Sequence, residues 1–98
     1  MTLSQIIVEH QRLVVLRLLS EVPGYDLNES IIQDGLDRYG LDISRDALRA
    51  QMEWLAELGL VTLEKLGSTY IATLTGRGED IACGRASVSG IKKPRPGE

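Results

Sequence analysis

Residues 44–74 read SRDALRAQMEWLAELGLVTLEKLGSTYIATL, and they carry the clearest structural signal in this 98-residue chain. Ser44 is a favourable helix-capping residue, and apolar side chains follow it at helical spacing, at Leu48, Met52 and Leu55. Gly59 favours the end of that helix, because a residue without a Cβ enters the left-handed conformation at low cost. The pattern predicts a helix that begins at Ser44, buries one face and ends at Gly59.

Alternation between apolar and polar residues follows the predicted helix and indicates a β-hairpin. Gly67 and Ser68 are suited to a two-residue turn, and glycine in the first position favours type II′. With that turn, one face of the hairpin carries Val61, Leu63, Ala72 and Leu74. A helix that leads directly into a small hairpin, with helices before it, is typical of a winged helix-turn-helix. The predicted fold is mainly α with a small β-hairpin: a three-helix core, a two-stranded wing, and a C-terminal helix and tail.

Further helices are predicted on both sides of this segment. Thr2 and Gln5 form a capping-box pattern at the start of a first helix, which ends before residues 23–24. A second helix begins at a cap formed by Asp26 or Asn28 and ends at residue 40, and a fourth runs from about residue 78 to residue 86. These signals predict one domain over residues 1–86 with an extended N-terminal helix. Residues 87–98 are rich in Gly, Pro, Lys and Arg, which predicts a flexible basic C-terminal tail.

Two features predict contact with a second subunit. Leu3, Ile6 and Ile7 precede the part of the first helix that a three-helix core needs, so they are assigned to the interface of a homodimer. The alternative is that this segment folds over its own domain. Trp54 lies beside the buried stripe of its helix and is also assigned to the dimer interface as an aromatic anchor. Its alternative role is to cover a neighbouring helix.

The charge of the chain is acidic overall and unevenly distributed. Lys and Arg number 11 against 14 Asp and Glu, which gives a net charge of −3 and argues against a general nucleic-acid binder. Residues 1–74 hold 6 basic and 11 acidic groups, or −5, whereas residues 75–98 hold 5 and 3, or +2. A single cysteine excludes an internal disulfide and fits a reducing compartment. With charged residues interrupting its apolar N-terminal run, the chain is predicted to be cytoplasmic, without a membrane span.

Candidate contacts with double-stranded DNA follow from the helix periodicity and from the basic residues. Arg45, Arg49 and Ala50 fall on the predicted outer face near the start of the helix, where a recognition helix meets base edges. The same predicted face carries Asp46 and Glu53, whose carboxylates repel phosphates and oppose this role. Lys65 is the cation of the wing. In the tail, three cations are assigned to phosphates or a minor groove: Lys92, Lys93 and Arg95. The alternative is that the two arginines pair with Asp46 and Glu53 on a solvated helix face.

Catalytic and metal-binding patterns are not found in the sequence. It shows no nucleophile-base pair, paired carboxylates or phosphate-binding loop, so we predict that the protein is not an enzyme and needs no cofactor. His10 lacks the cluster of ligands that a metal site requires. Cys83 is predicted to be a small buried packing residue.

Several motifs resemble known families. Residues 12–19, 55–61 (LAELGLV) and 72–78 (ATLTGRG) are similar to the ArsR/MarR type of winged-helix regulator. A closer resemblance, over nearly the whole chain, is to a family of small winged-helix proteins of Mu-like phages and prophages. It rests on residues 23–28 (PGYDLN), 44–46 (SRD), 54–55 (WL) and 84–94 (GRASVSGIKKP). The resemblance implies the fold more strongly than an activity.

Two hypotheses of function follow. The first is a homodimeric DNA-binding transcriptional regulator of phage or prophage origin, which places paired recognition helices in successive major grooves. The second is a protein-protein interaction module on a winged-helix scaffold, which binds a phage or host protein and not DNA. The two differ in salt dependence, because DNA binding releases counterions and an apolar protein interface does not.

Overall fold

Four helices and three strands alternate along residues 1–95, the part of the chain that this computed structural model describes. The elements are α1 (Leu3–Ser20), β1 (Asp26–Asn28), α2 (Glu29–Arg38), α3 (Arg45–Glu57), β2 (Val61–Leu66), β3 (Thr69–Leu74) and α4 (Gly76–Ala82). The last three residues of the predicted tail, residues 96–98, lie outside the described part. The result is one α+β domain of four helices and a three-stranded antiparallel sheet.

The helices begin at the caps that the sequence indicates. Thr2 and Gln5 form the predicted capping box of α1, and Ser44 accepts a hydrogen bond from the Ala47 N–H at the start of α3. Asn28, rather than Asp26, caps α2. At the end of α3, Gly59 has a φ of 75°, as predicted for a left-handed C-terminal residue. The Leu60 N–H then donates to the Leu55 carbonyl at 3.0 Å, which folds the chain back onto the last turn of α3.

The sheet has one strand more than the predicted two-stranded wing. Strands β2 and β3 pair in the predicted register, with Val61 opposite Leu74 and Leu63 opposite Ala72. The additional strand, β1, pairs with the other edge of β3 and gives the order β1-β3-β2. The prediction missed β1 because three residues that end on the helix cap Asn28 are too few to show alternation.

The core lies where α1 crosses the other elements. Nine large apolar side chains in it are fully buried: Leu13, Leu16, Leu19, Ile32, Leu36, Leu48, Met52, Leu55 and Leu60. They come from α1, α2, α3 and the residue before β2, so the three helices share one core as predicted. Among residues 1–95, no helix combines the length and the hydropathy needed to span a membrane.

Helix α4 corrects two predictions. It ends at Ala82 rather than near residue 86, and Cys83, expected to be buried, is exposed. Gly78 is required by close packing, because a Cβ there would lie 2.1 Å from the Leu60 carbonyl oxygen. Only glycine therefore allows α4 to pack directly against the segment that follows α3.

The segment after α4 corrects the prediction of a flexible tail for residues 87–95. Ile91 is buried in the main core cluster, and Val88 packs against that cluster. The Lys92 N–H donates to the Glu9 carbonyl at 3.1 Å, which attaches the segment to α1. Composition misled the prediction because two apolar residues within a polar segment are sufficient to bind it to the domain.

Candidate nucleic-acid interface

A buried carboxylate lies at the junction of α2, α3 and the hairpin. Glu29 is the first residue of α2, and its side chain is only 1% exposed. It accepts hydrogen bonds from Arg49 Nε at 2.6 Å and Nη2 at 2.7 Å, a two-bond arrangement that is strong and geometrically specific. The Tyr70 N–H donates to the same carboxylate at 3.1 Å. Glu29 therefore connects α2 with α3 and with strand β3.

These contacts stabilise the ionised form of Glu29. The hydrogen bonds from Arg49, helped by the Tyr70 N–H and the nearby charge of Arg45, lower the pKa of Glu29 to about 2, although burial opposes the shift. Reciprocally, the carboxylate raises the pKa of the Arg49 guanidinium above its usual value. Both groups are ionised near neutral pH, and each is the main electrostatic partner of the other.

Arg49 is committed to contacts within its own chain. Besides Glu29, its Nη2 donates to the Ser68 carbonyl at 2.7 Å, and its guanidinium lies 4.6 Å from the centre of the Tyr70 ring. This corrects the predicted position on the outer face of α3, and it corrects the alternative pairing with Glu53. Arg49 instead holds the hairpin turn against the helix.

Arg45 keeps an accessible side chain. Its Nε donates to Gln33 Oε1 at 2.8 Å and its Nη1 lies 3.6 Å from Glu29, yet the side chain remains 42% exposed. The alternative pairing with an acidic residue of α3 is replaced by contacts with α2. Arg45 therefore lies on the side of α3 that faces α2, with part of its surface open to a ligand.

The solvent-exposed face of α3 is acidic. Three carboxylate residues on it are exposed, together with two alanines: Asp46, Glu53, Glu57, Ala47 and Ala50. Asp46, Ala50 and Glu53 are on the outer face as predicted. The two arginines instead turn aside, Arg45 towards α2 and Arg49 towards Glu29 and the hairpin. The predicted DNA-contacting face thus presents negative charge to any ligand.

The hairpin adds a single cation to this region. Lys65 is exposed, and its ammonium lies 5.3 Å from the centre of the Tyr70 ring. The Tyr70 hydroxyl donates to Glu53 Oε2 at 3.3 Å, so the same ring also contacts a carboxylate of α3. The surface between α3 and the hairpin is consequently mixed in charge.

Trp54 lies under residues of its own chain. The Arg12 guanidinium is 3.8 Å from the centre of its ring, and Arg12 also donates to Gln51 Oε1 at 2.6 Å and to the Gly90 carbonyl at 2.9 Å. Burial lowers the pKa of Arg12, and the charge of Glu9 partly opposes that shift. These contacts favour the alternative role of Trp54 as cover for a neighbouring helix, and its assignment to a dimer interface stays a prediction.

The remaining predicted site residues lie elsewhere on the molecule. Lys92 is bound through its backbone to α1, while Lys93 and Arg95 are exposed beyond it. Leu3 and Ile6 are exposed at the start of α1, as their assignment to an interface requires, and so is Ile7. Binding of DNA by the three cations and dimerisation through the three apolar residues stay predictions.

Sequence reasoning missed Glu29, the residue that organises this region. A glutamate in the first turn of a helix is normally explained by the favourable interaction with the helix dipole, and α2 satisfies that explanation. A contact between residues 29 and 49 has no local spacing rule that would reveal it.

Comparison with known proteins identifies the family. The chain is 52% identical over 94 residues to protein gp26 of Escherichia phage Mu, covering 96% of this chain and 97% of that protein. It is 51% identical over 100 residues to a protein of Haemophilus influenzae, covering 100% of this chain and 95% of that protein. Both relatives are described as uncharacterized proteins. No protein-family model matches the chain, and no solved structure matches it. The chain belongs to the family of phage Mu protein gp26, which confirms the predicted relation to Mu-like phages.

Proposed function

We propose that this member of the phage Mu gp26 family is a protein-protein interaction module built on a winged-helix scaffold. Its exposed α3 face binds a basic segment of a phage or host protein. The observation that carries the proposal is the charge of that face: Asp46, Glu53 and Glu57 are exposed, whereas Arg49 is held by buried Glu29. A surface of this charge attracts cations and repels phosphates.

The arrangement of α2, α3 and the hairpin supports the winged-helix assignment. Helix α2 is followed by a short turn and α3, and α3 leads directly into the antiparallel pair β2-β3. The contacts of Arg49 with Ser68 and Tyr70 fix the hairpin relative to α3. The scaffold therefore presents α3 and the hairpin as one rigid surface to a partner.

A DNA-binding transcriptional regulator is the second candidate function. The specific observation in its favour is that Arg45 is 42% exposed beside α2 and that Lys65 is exposed on the hairpin. These two cations flank the acidic face and could each contact one phosphate. Two phosphate contacts make only a weak electrostatic contribution to DNA affinity, because log K falls with log salt by about 0.9 for each phosphate that is contacted.

Charge-neutralising variants distinguish the two functions. The first variant combines Asp46→Asn, Glu53→Gln and Glu57→Gln on the α3 face. Its matched control combines Glu21→Gln, Asp26→Asn and Asp34→Asn, which are exposed positions outside α3 and the hairpin and produce the same change in net charge. Binding is measured by fluorescence anisotropy with a lysine-rich peptide and with duplex DNA from upstream of the coding sequence, each at two salt concentrations.

The proposed function predicts that the two variants differ in their affinity for the basic peptide. Wild type and the control should bind the basic peptide, and the α3 variant should bind at least tenfold more weakly. Equal weakening of both variants would show that only net charge matters and would overturn the α3 site. Tight, salt-sensitive binding of the DNA that strengthens in the α3 variant would instead favour the regulator.

A further inference from the structure

One face of α1 carries a repeat of which the core of the domain buries only Val14, which is 5% exposed. Residues on this face are spaced alternately by four and three positions, the spacing of a helix-pairing seam. We call this face the α1 seam; it comprises Leu3, Ile7, His10, Val14, Arg17 and Glu21, with Ile6 and Leu18 at its edges. It lies on the opposite side of the helix from Leu16 and Leu19, which are fully buried in the core.

The two halves of the α1 seam differ in shape. At the N-terminal half, apolar side chains project from the domain: Leu3 is 71% exposed, Ile6 48% and Ile7 38%. At the C-terminal half, α2 and α4 flank the seam and form a groove with a cavity of about 410 Å³. Its lining residues are His10, Val14, Arg17, Leu18, Ser20, Glu21, Tyr39 and Ala82. The apolar part of that lining comes from Val14, Leu18 and Ala82, with the Tyr39 side chain at the edge.

We propose that two copies of the chain pair through antiparallel α1 seams. In this arrangement Leu3, Ile6 and Ile7 of each copy enter the groove of the other copy. The occupant of the groove is thus a second copy of this chain, because one helix face supplies both the projecting apolar side chains and the cavity that can receive them. The inference is independent of what the α3 face binds.

Two-fold symmetry and solvation favour the antiparallel direction. In an antiparallel pair the N-terminal half of each seam lies opposite the C-terminal half of the other, so both grooves are filled by one two-fold operation. A parallel pair would place the projecting halves against each other and leave both grooves empty. The seam of α1 is about 27 Å long at ~1.5 Å per residue, which allows several turns to pair.

The polar members of the seam are compatible with this interface. Arg17 and Glu21 are long side chains at the rim of the groove, where their stems can cover apolar surface while their charged groups remain in water. The first turn of α1 holds no acidic residue. No carboxylate of that turn is therefore brought into the apolar groove of the partner.

Sedimentation equilibrium of matched variants tests the association. Ile7→Asp places a charge in the proposed contact, whereas Ile31→Asp makes the same change at an exposed isoleucine of α2 outside the seam. Wild type and the control should sediment as dimers at micromolar concentration, and Ile7→Asp should raise the dimer dissociation constant at least tenfold. Circular dichroism checks that both variants fold. A monomeric wild type, or equal dimerisation of all three proteins, would overturn the proposal.

Cross-linking tests the direction of the pair. In a Cys83→Ser background, Ile7→Cys combined with Tyr39→Cys should give a dimer with a short bismaleimide, joined between position 7 of one copy and position 39 of the other. Either substitution alone should give little covalent dimer. Efficient cross-linking of the Ile7→Cys single variant to itself would show parallel pairing and overturn the antiparallel arrangement. Neither experiment involves the α3 face, so failure here leaves the proposed function untouched.

Discussion

Two arginines of this domain each stack on an aromatic ring, but they are held by different forces. Arg49 lies over Tyr70 and has buried Glu29 as its charged partner. Arg12 lies over Trp54 and donates hydrogen bonds to the neutral acceptors Gln51 and Gly90. The pKa of Arg49 is raised by its carboxylate, whereas the pKa of Arg12 is lowered by burial. Similar geometry therefore predicts different responses to mutation and to pH.

Removing the charge of Glu29 should have the largest effect. Glu29→Gln leaves Arg49 without its ionic partner and retains a side chain of similar size, so we expect a loss of about 3 kcal/mol in the free energy of unfolding. Urea denaturation at pH 7 measures it. The control, Glu57→Gln, changes an exposed carboxylate of α3 and should remain within about 0.5 kcal/mol of wild type. Equal stability of the two variants would contradict the role given to Glu29.

Lowering the pH should remove the stabilisation that ionised Glu29 contributes. The pKa of Glu29 is about 2 in the folded protein and near 4.5 ordinarily, so its ionisation stabilises the fold fully only above pH 4.5. Stability should fall by about 3 kcal/mol as the pH decreases from 4.5 towards 2, because each pKa unit corresponds to about 1.36 kcal/mol. Denaturation curves across this range should show the loss in wild type and a smaller loss in Glu29→Gln. An equal loss of stability in wild type and in Glu29→Gln would contradict the assignment of this loss to Glu29.

The Arg12 contact should be weaker and insensitive to that pH range. Arg12→Met keeps an apolar stem over Trp54 but removes the cation and its donors. We therefore expect a loss of about 1 kcal/mol in the free energy of unfolding. The loss should differ little between pH 3.5 and pH 7, since this guanidinium donates to the neutral acceptors Gln51 and Gly90 and Glu9 only partly offsets the effect of burial on it. Lys93→Met changes an exposed residue of the segment that contains Gly90, and it serves as the control. A pH-dependent loss would remove the distinction between the two arginines.

The smallest effect is expected at Lys65. Its ammonium lies 5.3 Å from the Tyr70 ring in an exposed position, so Lys65→Met should change stability by less than about 0.5 kcal/mol. Thermal unfolding followed by circular dichroism detects a larger change. A loss comparable to that of Glu29→Gln would mean that Lys65, rather than Glu29 with Arg49, holds the hairpin against α3.

The local elements of this protein were predictable from its sequence. The caps at Thr2 and Ser44, the C-terminal residue Gly59 and the β2-β3 register are all as predicted, because each depends on residues within a few positions of one another. The exposure of the first turns of α1 was predictable for a related reason: an apolar surplus exceeds what a three-helix core can cover.

The candidate site was not predictable, because its partners are distant in sequence. Helical periodicity correctly exposes Ala50, but it cannot show that Arg49 reaches Glu29, 20 residues earlier, or that Arg12 reaches Gly90, 78 residues later. Sequence thus determined the helices, the hairpin and their caps through short-range propensities and hydrogen bonds. Only the tertiary structure determined that Arg49 is neutralised by Glu29 and does not offset the carboxylates of the exposed α3 face, because burial brings together groups that no sequence spacing relates.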